Sequence, residues 1–396
     1  MIALRARAEQ VLLERPLERS VWRLVTADTL TSQRRGLAFL VRGEEAVPDG
    51  FDLYVTRGLP PEAAGTGRSV VALPALLHHL EGGDIVSVDP TGELVRVLWR
   101  HRSRQNSVLL TERCDHYCLM CSQPPKERND DWLLADALEL VRLLPRTTTD
   151  IAFTGGEPTL YGERLVELLR LCRNLLPFAA VHILSNGRRF DDVAFAAAYA
   201  SVDNPNMMVG IPLYGAEASQ HDYVVQARGA FDDTVRGILN LGRFGQRIEL
   251  RVVVHLQTAP HLVEIADFIA RNLPFVEQVA FMGLETTGFA RANLSSIWID
   301  PTEYQEQLVE AVRRLDRRRV KTMVYNHQLC LLDRELWPFA IRSISDWKNE
   351  YHPECARCSA AEACGGFFAS ARYRVSEHIR ALTPDELGGE RALLQL

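Results

Sequence analysis

The sequence predicts an α/β protein: an open, partial barrel of six βα units, preceded by a small β-rich domain and followed by a cysteine-rich domain. Three observations carry this prediction. Between residues 105 and 300, short apolar runs alternate with amphipathic segments, as parallel strands joined by crossover helices do. Residues 1–104 lack that alternation and hold short β-rich runs between turn signals. Seven of the eight cysteines fall into two groups, one inside the first βα unit and one in residues 301–396.

The N-terminal strand candidates are 21–27, 51–55, 84–89 and 93–100, with turns at 81–84 (Glu-Gly-Gly-Asp) and 89–92 (Asp-Pro-Thr-Gly). The first barrel unit pairs a strand at 108–110 with a helix at 132–144. Strands at 150–154, 180–184, 207–213, 248–255 and 278–282 follow, separated by helices near 163–176, 191–199, 231–244 and 261–272. Six units are too few for a closed eight-fold barrel, so the sheet stays open. Ligands in such folds gather at the C-terminal ends of the strands. A helix at 304–319, rich in Arg and Glu, leads into the tail.

At 396 residues the chain has room for two to three domains, and 47% hydrophobic with 24% charged residues matches a globular protein with full cores. A net charge of −6 argues against non-specific binding to nucleic acid or anionic membrane. The first residues lack a signal-peptide apolar core, and no stretch approaches ~20 uncharged apolar residues, so the expectation is a cytoplasmic protein without a membrane partner. In that reducing compartment clustered cysteines read as metal ligands rather than disulfides. Cys172, inside an apolar helical pattern, reads as core.

Cys114, Cys118 and Cys121, spaced x3 then x2, sit just past the first strand. They supply three thiolates, one fewer than a closed four-coordinate site needs, so a [4Fe-4S] cluster held here keeps one iron open to a small molecule. Zinc is the competing reading of the spacing, with His116 among its ligands. At the same end of the sheet, after the second strand, comes Thr154-Gly155-Gly156-Glu157-Pro158. The glycines permit close backbone approach to a ligand, and Glu157 adds an acceptor for an ammonium group.

Taken together, the Cys-x3-Cys-x2-Cys loop and Gly155-Gly156-Glu157-Pro158 on a β/α frame resemble the radical S-adenosylmethionine (SAM) superfamily over residues 105–290. The resemblance implies that the open iron chelates SAM, that an external donor supplies an electron, and that a 5′-deoxyadenosyl radical abstracts hydrogen from substrate. Carried over residue by residue, Cys114, Cys118 and Cys121 match the cluster ligands, and Gly155 to Pro158 the segment at the SAM amino group. Ser185 and Asn186 match a loop near the ribose, Arg251 a residue pairing with the SAM carboxylate, and Met282 a contact to adenine. Met120 departs from the family, which favours an aromatic residue there; its thioether is expected to cover adenine instead.

In the tail, Cys330, Cys355, Cys358 and Cys364 suffice to close a site, whether [4Fe-4S] or structural zinc. Their x2–x5 spacing resembles the auxiliary-cluster domains of SPASM or the shorter twitch type, and four cysteines imply one auxiliary [4Fe-4S] cluster. The runs 118–126, 329–333, 343–348 and 364–370 resemble radical SAM maturases of the His-Xaa-Ser peptide system, HxsC type. That resemblance implies a ribosomally made precursor peptide with His-Xaa-Ser repeats as substrate and a second radical SAM maturase as partner. Residues 1–104 are then the place for peptide recognition, by strand addition to a sheet edge. The motifs name no catalytic side chain and no bond that is modified. An enzyme acting on RNA or a small metabolite, and a zinc-stabilised peptide-binding scaffold, are the alternatives. His116, His221 and the arginine run 313–319 have plain structural readings, as a loop cap, a helix start and a solvated helix face.

Overall fold

The computed structural model describes residues 3–18, 20–29, 34–43, 46–342 and 350–387; the run 343–348 singled out above lies outside the described residues. The barrel sheet consists of β1 (Ser107–Thr111), β2 (Asp150–Gly155), β3 (Ala180–Leu184), β4 (Met207–Pro212), β5 (Arg247–Val254), β6 (Gln278–Gly283), β7 (Lys321–Tyr325) and β8 (Ala340–Ile341). Each strand pairs in parallel with the next in chain order, and the sheet curls into a half-barrel. The six expected strands are all present, and two more extend the sheet beyond residue 300. Those two escaped the pattern because β8 has two residues and no regular helix links it to β7.

Alternation along the strands divides the sheet faces. Ile151, Phe153, Val181, Ile183, Val209, Ile211, Leu250, Val252, Val279 and Phe281 are at most 1% exposed and pack beneath the helices. Those helices are α1 (Asp131–Leu143), α2 (Glu163–Leu175), α3 (Val193–Ala200), α4 (Ala218–Val225), α5 (Ala230–Arg243) and α6 (Leu262–Asn272). Burying each such aliphatic or aromatic side chain contributes roughly 1.5–3 kcal/mol, and this layer fixes the register of the strands. Cys172 of α2 is fully buried in it, and burial pushes its thiol up to about 12. Helix α4 begins three residues ahead of His221, where the sequence suggested a helix start, and becomes important at the site.

The opposite, concave face carries polar groups. A Cβ on Gly210 of β4 would stand 3.1 Å from His182 Nε2 and 3.2 Å from Arg251 Cδ, so these residues of β3, β4 and β5 crowd one another there.

The N-terminal unit is an eight-stranded mixed sheet, larger than the four strands expected. Its centre is parallel: Val21–Val25, Leu37–Val41, Leu53–Arg57 and Val70–Leu73 pair side by side. It is moored to the barrel through α1. The Asp136 carboxylate, 4% exposed, accepts from Ser20 Oγ (2.6 Å), Ser87 Oγ (2.8 Å) and Arg96 Nη2 (2.6 Å). Arg96 in turn lies 4.0 Å over the Trp132 ring. Three donors around one buried carboxylate, one of them a cation, make this junction specific as well as stable.

Candidate active site

Strand β1 hands the chain to the cysteine loop through a buried acid. Asp130, fully buried just ahead of α1, accepts from Thr111 Oγ1 (3.0 Å), from the Glu112 amide and from Arg113 Nε (3.0 Å). The loop then rests on the C-terminus of α4: Tyr117 N donates to Val225 O (3.1 Å) and Leu119 N to Val224 O (2.9 Å). These are two of the carbonyls that a helix end leaves without partners. From the other side, Phe289 N donates to Cys121 O (2.8 Å) and Asn293 Nδ2 to Leu119 O (2.8 Å). Gly288 takes φ +55° there, and a Cβ would stand 2.5 Å from the carbonyls of Cys121 and Ser122.

Cys114, Cys118 and Cys121 are thus brought together at the C-terminal end of the sheet. Burial pushes Cys114 up to about 12 and raises Cys118 and Cys121, with the neighbouring thiols adding to the shift at Cys114 and Cys118. Mutually repelling thiolates in a partly buried loop call for a cationic centre. Three thiols match the three cysteine corners of a [4Fe-4S] cluster that keeps one iron open, so the donor set fits that group.

The glycines of the second motif serve the protein backbone first. Gly156 N donates to Thr111 O and Glu157 N to Arg113 O, both at 2.8 Å, which stitches the exit of β2 onto the start of the cysteine loop. A Cβ on Gly155 would lie 2.3 Å from Thr111 O, and one on Gly156 2.0 Å from Arg113 O. The space a Cβ would need at either position is taken by the cysteine loop, which is a reason for glycine independent of any ligand. Glu157 is likewise enclosed. It is fully buried and caps the short turn opened by Pro158, accepting from Thr159 N (2.9 Å), Thr159 Oγ1 (2.6 Å), Ser185 Oγ (2.8 Å) and Asn186 N (2.5 Å). Three of these donors reach Oε1 and one reaches Oε2, so the side chain ties β2 to β3. Burial still pushes its pKa up against the pull of those four hydrogen bonds.

Ser185 and Asn186 belong to the same knot. Asn186 Nδ2 donates to Asp115 Oδ1 (2.6 Å), and Arg188 spans Asp115 (3.4 Å) and Asp233 (2.7 Å). Asp115 sits between the first two cysteines, so the turn after β3 and the cysteine loop are one hydrogen-bonded body. Asp115, Asp130 and Arg188 were missed from sequence; the only signal was their position next to recognised motifs. His116 is 2% exposed with neither ring nitrogen partnered among the described residues, and burial lowers it to about 4.

Arg251 and Met282 meet on the concave face, with Arg251 Nη2 3.2 Å from Met282 Sδ. Glu249, 4% exposed, lies 3.4 Å from Arg251 Nε and is held on its other oxygen by Gln278 Nε2. Met120 is 6% exposed in an apolar cluster with Tyr214, Val224, Ala290 and Ile297. That packing fastens the loop and leaves little of the thioether for a nucleobase.

Cys330, Cys355, Cys358 and Cys364 line one small cavity with Arg380, Leu382, Tyr351 and Phe367. Leu382 N donates to Cys358 Sγ (3.3 Å), and burial raises the thiols of Cys330, Cys355 and Cys364. Backbone N–H groups aimed at sulfur are what thiolate-held clusters use to set their electronics.

Residues 108–269 match the family model of the Radical SAM superfamily. The match is to the segment that carries the three-cysteine loop and the second motif, and the matched family implies a [4Fe-4S] cluster and SAM. No curated protein sequence matches the chain. Among solved structures it is similar to Streptococcus suis SuiB (16% identity, TM-score 0.44), aligning 55% of this chain with 48% of that one. It therefore spans about half of SuiB. It is also similar to native anSMEcpe with bound AdoMet and Cp18Cys peptide (16%, TM-score 0.49, 70% and 91% covered). A third is a radical SAM methyltransferase from Sphaerobacter thermophilus (15%, TM-score 0.45, 66% and 74% covered). Likenesses this distant assign no reaction. Among the described residues, no helix is long and apolar enough to cross a membrane.

Proposed function

We propose that the enzyme is a peptide maturase that carries a [4Fe-4S] cluster on Cys114, Cys118 and Cys121 and a second on Cys330, Cys355, Cys358 and Cys364. Its substrate is a ribosomally made precursor with His-Xaa-Ser repeats. When bound, the first cluster and SAM supply a 5′-deoxyadenosyl radical that abstracts hydrogen from the peptide. The chain's own residues then hold and orient. Arg251 offers its guanidinium fork to a carboxylate, the backbone of residues 154–156 faces the amino group, Ser185 and Asn186 stand at the ribose, and Met282 at the adenine. Residues 301–396 act as the auxiliary-cluster unit, and residues 1–104 recognise peptide.

The observation that carries this is the stitching of Gly156 and Glu157 to Thr111 and Arg113, which makes the three-cysteine loop and the second motif one rigid body. The peptide assignment is supported by the sequence resemblance around Cys118 and Cys364 and by the four cysteines that line one cavity. Co-expression with the precursor peptide, followed by mass spectrometry, tests it. Loss of two hydrogens in the SAM-dependent product is expected; a peptide left unchanged by the enzyme together with its partner maturase contradicts it.

A further inference from the structure

Between the ends of β5–β7 and the tail lies a narrow cavity bounded by Gly283, Gln328, Gly366 and Phe367, with Ser370, Ala371 and Arg374 on its tail side. Beside it stands an arrangement the activity has not used. Arg291 Cζ lies 4.0 Å from the centre of the Tyr373 ring and Arg372 Cζ 4.9 Å, and both guanidinium groups donate to the Tyr373 hydroxyl, at 3.0 and 2.8 Å. Arg374, one residue on, lies 5.6 Å over Trp298. All three arginines are exposed.

Two cations sharing one phenol repel each other, and among the described residues none of the three arginines has a carboxylate partner. Several arginines elsewhere on the surface are paired, such as Arg313 with Glu335, Arg314 with Asp267 and Glu310, and Arg236 with Asp233. The whole chain carries −6, so this local excess of positive charge is not the average of its surface. Guanidinium forks beside aromatic rings are suited to carboxylates on an extended chain.

We propose that Arg291, Arg372 and Arg374, with Tyr373 and Trp298, are a docking surface for an acidic segment of the substrate peptide; this rests on the peptide reading above. Position favours peptide over an acidic electron-donor protein. Arg374 shares its cavity with Gly283 at the end of β6 and with Gly366, two residues from Cys364, so the arginines stand beside an opening between the barrel and the tail.

The test uses the full, anaerobically reconstituted protein and a fluorescein-labelled peptide of alternating Glu and Ser, against its Gln–Ser counterpart, read by fluorescence anisotropy. The Glu peptide is expected to bind about tenfold tighter, with an affinity that falls steeply with salt. The double variant Arg291→Gln, Arg372→Gln is expected to abolish that preference, and Arg313→Gln to leave it. Equal affinity for the two peptides, or a preference that survives in the double variant, overturns the proposal. So does a double variant that discriminates normally but is reduced slowly by an acidic flavoprotein, which would assign the surface to the donor. The precursor mass assay separates the two levels: modification with charge-blind binding removes only the docking surface, whereas charge-selective binding without modification removes the maturase.

Discussion

The hydroxyl of Ser185 donates to the carboxylate of Glu157 across 2.8 Å, joining the turn after β3 to the turn after β2 at the point where the cysteine loop is attached. The carboxylate is the hub of this joint, since it also receives two donors from Thr159 and the Asn186 amide. Glu157→Gln keeps the shape but turns an NH2 group toward donors. A buried unsatisfied polar group costs about 1–3 kcal/mol, so the unfolding free energy from urea titration should fall by that amount. The same variant should lose iron on anaerobic desalting; unchanged stability and iron content would show that the joint is not needed.

Gly156→Ala tests the backbone contact itself. Its Cβ would stand 2.0 Å from Arg113 O, so strand exit and cysteine loop must separate. Destabilisation above about 2 kcal/mol is expected, together with loss of cluster absorbance in protein that remains folded by circular dichroism. Gly229→Ala is a control: its Cβ meets nothing within 4 Å, although its φ of +76° carries a small strain of its own.

On the concave face, Glu249 braces Arg251 through Nε while Nη2 meets Met282 Sδ. Arg251→Lys replaces a planar fork by a point charge and should weaken SAM binding by about tenfold, or about 1.4 kcal/mol, in calorimetric titration. Glu249→Gln should weaken it less, through looser positioning. Equal SAM affinity in wild type and Arg251→Lys would remove Arg251 from the site.

His327 gives the stability a pH dependence. It is fully satisfied as a neutral ring, with Nδ1 2.8 Å from Tyr325 O and Nε2 2.8 Å from Tyr304 Oη, and burial lowers it to about 4 from 6.5. Between those values the unfolded chain binds a proton that the native state refuses, so stability rises with pH and is lost as pH falls through the window. At about 1.4 kcal/mol per unit, this one ring accounts for at most ~3 kcal/mol. Urea midpoints from pH 7 to pH 4 should show a shallower loss for His327→Gln than for wild type.

Much of the frame was legible because period and spacing report directly on burial. The six parallel strands and the convergence of Cys114, Cys118 and Cys121 on Gly155 to Pro158 followed from alternation and strand order. What sequence could not show were contacts between residues far apart in the chain. Asp115 meets Asn186 across 71 positions and Asp130 meets Thr111 across 19, and neither acid differs in type from a solvated one. The glycines were legible as special, but the group demanding their smallness is a carbonyl of the neighbouring loop. The two-residue strand Ala340–Ile341 is too short for any periodic signal.

Cluster count bears on the tail. Anaerobic reconstitution should give about eight irons per chain, falling to about four in Cys355→Ala, Cys358→Ala. Four irons in wild type, with zinc filling the tail cysteines, would make that site structural.

The most direct test of the account is 5′-deoxyadenosine formation from SAM under dithionite by wild type and by the triple variant Cys114→Ala, Cys118→Ala, Cys121→Ala. The account predicts SAM cleavage in the first and none in the second. Cleavage that persists in the triple variant would contradict it, because Cys114, Cys118 and Cys121 would then not hold the reacting centre.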